Sequence, residues 1–243
     1  MKSVRFRDPA GVIRQGEWTE DGVVFSDQSY AVDAVDILPP TSPTKIILVG
    51  RNHLANFESG EREKPPHPRL IVVPPSAITG HNTTISLPQD SDHVYYGAEL
   101  GVVIGQQCKH VPQSSAMDVI AGYTCIHDLS NNLKTDIDPF KTFVKSFDNA
   151  KPIGPVLIAP EDLPDKPHME TRVNGEKRQT GIATRINFSI PEIIERITGD
   201  ITLEAGDILS MGSMSGNEPV YRGDELEVEI EGIGVLRNRI APE

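Results

Sequence analysis

The sequence predicts an α+β fold that is mainly β, with few short helices. Three observations lead there. Gly and Pro number 20 each in 243 residues, so turns are frequent and long helices few. Apolar residues come in short runs between turn-forming pairs such as Asp8-Pro9, Asp21-Gly22 and Asn174-Gly175. One stretch alone, 189–197, carries a full set of helix signals.

The elements follow in chain order. Residues 1–38 alternate polar and apolar around turns and read as a small β-meander. Prolines 39, 40 and 43 mark a linker, because a fixed φ and a missing N–H interrupt sheet ladders. Two units are expected: 1–42, meander and linker, and 43–243, the main domain. Residues 45–50 form a continuous apolar run, the mark of a buried strand. The polar segment 51–69 reads as a short helix and a loop, and 70–73 as a strand. The strongest strand signal is 99–104. A helix start is expected at 114–119, capped by Ser114 or Ser115, before a strand at 121–126. The polar stretch 131–150 reads as a loop covering a site. Strands are expected at 156–158, 170–173 and 177–180, the last two joined by Asn174-Gly175 as a hairpin turn. In 189–197 Ser189 caps the helix, Pro191 suits its first turn, and Ile193, Ile194 and Ile197 share a face. Strands at 207–211, 225–230 and 234–240 complete the chain.

Charge and composition exclude some functions. With 35 acidic and 23 basic residues the net charge is −12, which repels nucleic-acid phosphates and anionic lipid. The acidity serves solubility or adaptation to a salty interior; charge alone leaves both open. Cys108 and Cys125 match no metal spacing and read as buried thiols of a reducing compartment. The N-terminal residues lack an apolar signal core, and no apolar run approaches bilayer length, so a cytoplasmic protein is expected.

The segment YYGAELGVVIG raises the chemical question. In a strand Tyr95, Gly97, Glu99, Gly101 and Val103 share one face, and Tyr96, Ala98, Leu100, Val102 and Ile104 the other. Glu99 then lies between two glycines that leave room beside it. A buried carboxylate is paired, protonated or bound to a cation, so Glu99 is a salt-bridging or exposed edge residue, or a metal ligand. Asp128, placed where a strand ends, is a turn residue or a second ligand; two carboxylates and waters suit a hard cation such as Mg²⁺. Lys145 is a surface lysine or a group that holds a substrate carboxylate or enolate. The glycine-rich segment from Met211 to Gly216 offers backbone N–H groups but lacks the lysine of a phosphate loop.

Together ILVGRNHLAN, AELGVVIG, DVIAGYTCIHDLS, KSFDNAKPIGP, RVNGEKRQTG, FSIPEIIERI, ITLEAGDILSMGS and GDELEVEIEGIGVLRN resemble the fumarylacetoacetate hydrolase family over residues 43 to 240. The family includes acylpyruvate hydrolases, oxaloacetate decarboxylases and 2-hydroxyhepta-2,4-diene-1,7-dioate isomerases. The resemblance implies a twisted mixed β-sheet rolled into a sandwich, a homodimer, and Mg²⁺ or Mn²⁺ chelating a small 2-oxo or 1,3-diketo acid. Such a metal polarises the carbonyl and stabilises an enolate in C–C cleavage, decarboxylation or tautomerisation. It implies Glu99 and Asp128 as metal ligands, Lys145 as the catalytic lysine, and Gln179 and Ser213 as substrate contacts. It also marks departures. The first metal glutamate is Gly97, and the His/Glu pair that activates water is Asn56 and Ser59. A usual lysine is Val73 and a usual arginine is Asn132. Substitutes at neighbouring positions are His53 in the same segment, taken as a catalytic candidate, Glu58 beside Ser59, and His127 beside Asp128. Two readings result: a metal-dependent hydrolase, lyase or isomerase, or a catalytically impaired paralogue acting as a binding or partner subunit, a mixed dimer with a complete paralogue being one form of the latter.

Overall fold

The computed structural model describes residues 1–58, 63–215 and 218–242. Two sheets pack face to face. The larger runs, in spatial order, through Gln28–Tyr30, Gly22–Phe25, Ile13–Thr19, Lys2–Arg7, Lys151–Ile158, Ile120–Ser130, His93–Ile104, Ile208–Ser210, Ile46–Gly50 and Arg69–Val73. The smaller runs through Glu176–Ile182, His168–Val173, Glu225–Ile230, Gly234–Ile240 and Thr84–Ile85. Most pairs are antiparallel, but Ile208–Ser210 runs parallel to Ile46–Gly50, so the sheet is mixed. The N-terminal meander continues the larger sheet: Lys2 pairs with Ile158 and Ser3 with Leu157.

The two longest strands, His93–Ile104 and Ile120–Ser130, form the spine. One face of the first, Tyr96, Ala98, Leu100, Val102 and Ile104, enters the main apolar core between the sheets. The Tyr96 hydroxyl donates to the Glu227 carbonyl at 2.8 Å and so ties the sheets together. The opposite face is also covered: Val103 joins a second buried cluster with Ile46, Leu48, Val73, Ile126 and Ile153. Val73, where the resemblance expects a lysine, is therefore core.

Several expectations are corrected. The space expected beside Glu99 is closed on one side, because a Cβ at Gly101 would meet the Ile126 side chain at 2.8 Å. The helix near residue 114 is a 3₁₀ segment, Gln113–Val119, preceded by Pro112 and without a serine cap. The strand expected at 121–126 reaches Ser130, so Asp128 lies inside a paired strand and not at its end. The Asn174-Gly175 turn forms as expected, with both residues at positive φ as a two-residue hairpin loop requires. Helix Ile190–Asp200 carries a full capping box between Ser189 and Glu192, and Ile193, Ile194 and Ile197 are buried. Both cysteines are free and buried. No helix among the described residues is long and apolar enough to cross a membrane.

Candidate functional site

Strand register assembles the site. Across the spine Gly97 faces Asp128, Glu99 faces Ile126 and Gly101 faces Thr124. Glu99 and Asp128 therefore lie on one face as diagonal neighbours. Both are nearly buried, and both line a cavity of about 770 Å³. Arg51, Arg69, Lys141, Lys145 and Ser213 share its wall.

Glu99 is held by the segment that follows Ile208–Ser210. Its Oε2 accepts the Ser210 hydroxyl at 2.5 Å and the Gly212 N–H at 2.8 Å. Gly212 has φ of +99°, and a Cβ there would lie 2.9 Å from both the Asn52 side chain and the Val49 carbonyl. Only glycine presents its N–H at this point. Burial, and then the charge of Asp128, push the Glu99 carboxyl up to about 7.

Asp128 is bracketed by two ammonium groups. Lys145, on the short helix Thr142–Lys145, pairs with Oδ2 and also donates to the Ser130 hydroxyl at 2.6 Å. Lys151, the first residue of Lys151–Ile158, places Nζ 3.0 Å from Oδ1. Lys151 is fully buried and donates to the carbonyls of Leu129 at 2.7 Å and Ala150 at 3.2 Å. Burial pulls its ammonium down to about 8, against the opposing charge of Asp128. Burial alone would raise the Asp128 carboxyl, but the two lysines outweigh it and hold the group below its ordinary value.

The remaining expected residues divide. Ser213 lines the cavity. Asn56 lines it too, but its amide donates to the His53 carbonyl at 3.0 Å and to the Ser213 carbonyl at 2.9 Å, which makes it a tether. His53 does not reach the cavity wall: Nε2 lies 2.9 Å from the Ile182 carbonyl, and Nδ1 accepts the Ala55 N–H at 3.2 Å. Both ring nitrogens are thereby taken up by backbone. His127 faces away, its ring 5.1 Å from that of Tyr96, and burial pulls it down to about 3. Glu58 pairs with Arg185. Gln179 donates to the Ser215 carbonyl at 2.6 Å and positions that loop from outside the cavity. Asn132 lies on the wall. Ser59 and Gly216 lie outside the described residues.

Sequence reasoning missed Lys151 and Asn52. The Asn52 amide donates to Met211 and Phe188 carbonyls at 3.0 and 3.2 Å, and its oxygen accepts the Phe188 N–H at 2.8 Å. For Lys151 a signal existed: a lysine directly heading the apolar run PIGPVLI has no polar face to occupy.

The divalent cation implied by the resemblance can be set against this donor set. Gly97 supplies no oxygen. Glu99 Oε2 already accepts two hydrogen bonds, and each Asp128 oxygen faces an ammonium. Among the described residues no three His, Cys, Asp or Glu side chains converge as ligands. Two lysine charges already balance the two carboxylates, so no net negative charge is left to attract a dication. These residues do not fit a resident divalent ion.

Comparison with known proteins gives a consistent result. The family model described as fumarylacetoacetate (FAA) hydrolase C-terminal matches residues 45–241. An oxaloacetate tautomerase of Bacillus subtilis is 36% identical over 227 residues, covering 87% of this chain and 75% of its own. The crystal structure of a 5-carboxymethyl-2-hydroxymuconate delta-isomerase from Mycobacterium smegmatis superposes with a TM-score of 0.90 at 31% identity, covering 100% of this chain and 99% of that one. A maleylpyruvate hydrolase from Sphingobium, solved with manganese and pyruvate, shares the fold with a TM-score of 0.82 at 22% identity, covering 100% of this chain and 99% of that one.

Proposed function

The chain belongs to the fumarylacetoacetate hydrolase family, and from that footing we propose that it is an isomerase or tautomerase acting on a small 2-oxo acid through an enolate. The carrying observation is that Glu99, Asp128 and Lys145 line one cavity whose wall also holds Arg51 and Arg69. The cationic side chains suit a carboxylate substrate. Lys145, held between Asp128 and Ser130, is oriented to face the oxygen on which enolate charge develops. Glu99 is the carboxyl on the same wall that moves a proton between carbon and oxygen. The tautomerase and isomerase relatives support this class. Hydrolysis is the weaker reading, because Asn56 stands where the resemblance places the water-activating histidine and is tied to two carbonyls. Decarboxylation needs the same enolate stabilisation and belongs to the same reading.

Isomerisation of enol-oxaloacetate and of 5-carboxymethyl-2-hydroxymuconate, followed by loss of enol absorbance, tests it. The expected result is turnover that Lys145→Ala or Glu99→Gln lowers by roughly 100- to 1,000-fold. Absence of turnover on both, with oxalate still bound, would instead support the non-catalytic paralogue, the reading that Gly97 and Asn56 favour. A homodimer completes the proposal. Ile137, Phe140 and Phe143 are exposed, and Phe140 lies at the cavity wall.

A further inference from the structure

We propose that Lys145 and Lys151 together take the place of a divalent cation at Asp128, so that the site holds its 2-oxo acid anion without a metal. The identity of the anion rests on the functional reading above; the replacement of the cation does not.

Lys151 carries the argument. A fully buried ammonium is costly unless each N–H is used. Here two N–H groups go to the Leu129 and Ala150 carbonyls, and the charge is paired with Asp128 Oδ1, 3.0 Å away. The charge is thus built into the fold rather than recruited from solvent. Lys145 takes the other carboxylate oxygen, so each oxygen of Asp128 has its own cation. Directly across the strand pair stands Gly97, which removes a negative charge from the same spot. A missing carboxylate and an added ammonium act in one direction. Both make the site less able to hold a dication, and both make it less repulsive toward an anion. Lys145 reaches the cavity wall and touches the substrate in this arrangement; Lys151 does not reach it, and acts as a positioning residue that fixes Asp128 and, through it, Lys145.

Two titrations of the full chain, stripped with a chelator, test the proposal. Mn²⁺ alone, followed by its electron paramagnetic resonance, is expected to show no saturable binding at low-millimolar concentration. Oxalate, a mimic of a 2-oxo acid enolate, is expected to bind at one site in chelator with an unchanged constant when Mn²⁺ replaces the chelator. Lys151→Met is expected to free Asp128 Oδ1, so that saturable Mn²⁺ binding appears while oxalate affinity in chelator falls by roughly tenfold. One Mn²⁺ bound per wild-type chain, or oxalate binding that appears only with Mn²⁺, overturns the proposal. If Lys151→Met does not fold, the wild-type titrations decide alone. Oxalate bound under neither condition counts against the functional reading, and the Mn²⁺ titration then decides the replacement by itself.

Discussion

Gly97 lies directly opposite Asp128 across the antiparallel spine, so the position without the expected carboxylate faces the one carboxylate held by two lysines. Side-chain register makes this a single site.

Loss of the Lys145 amine removes the wall cation that pairs with Asp128, while Lys151 still faces Asp128 from the buried side. Lys145→Ala is therefore expected to fold, with an unfolding free energy from urea titration lowered by no more than about 2 kcal/mol, because only one of two partners is lost. Its kcat for enol tautomerisation should fall far more than its KM rises. An unchanged kcat would place the chemistry elsewhere.

Gly212→Ala introduces a Cβ into contacts of 2.9 Å at a residue with φ of +99°. Strain of this kind costs roughly 1–3 kcal/mol. The N–H that holds Glu99 moves with it, so activity should drop together with the thermal midpoint. Retention of both would mean that the loop relaxes without disturbing Glu99.

Asp207 anchors the parallel strand pair. It accepts the N–H groups of Thr44, Lys45 and Glu204, the Thr44 hydroxyl and the Lys45 ammonium. Burial opposes its charge, but these donors outweigh burial and hold its carboxyl below the ordinary value. The sign follows: a depressed carboxyl stabilises the fold above its unfolded pKa, and that contribution is lost as pH falls through the folded value. Asp207→Asn should cost roughly 2–4 kcal/mol at neutral pH, by leaving donors poorly matched, and should flatten the acid limb of stability against pH. Equal acid limbs for both proteins would reject the assignment.

Ile137 and Phe143 are 75% and 64% exposed on the segment beside the cavity. Apolar side chains grouped in this way mark an interaction surface. Sedimentation is expected to show a dimer for the wild type and a monomer for Ile137→Ser/Phe143→Ser. A monomeric wild type would remove the homodimer from the functional reading.

Local signals made much of the fold legible. Ser189 and Glu192 announce a helix start, Asn174-Gly175 a hairpin, and the apolar run at 45–50 a buried strand, because each acts within a few residues. Site residues 99, 128 and 145 were legible through motif resemblance, and the structure brings them to one cavity. What failed was long-range. The room expected at Gly101 is closed by Ile126 from the neighbouring strand. His53 is held by a carbonyl 129 residues away. Lys151 heads an apolar run, but its partner Asp128 is set only by strand pairing. No periodicity encodes which strands become neighbours.

Asn52 and Asn56 bind the segment beyond Ile46–Gly50 to Phe188, Met211 and Ser213 by side-chain amides. Three stretches of chain far apart in sequence thus form one rim beside Glu99. A rim fixed in this way meets its ligand preorganised: the entropy of ordering these loops is lost on folding, and a bound anion need not order them again.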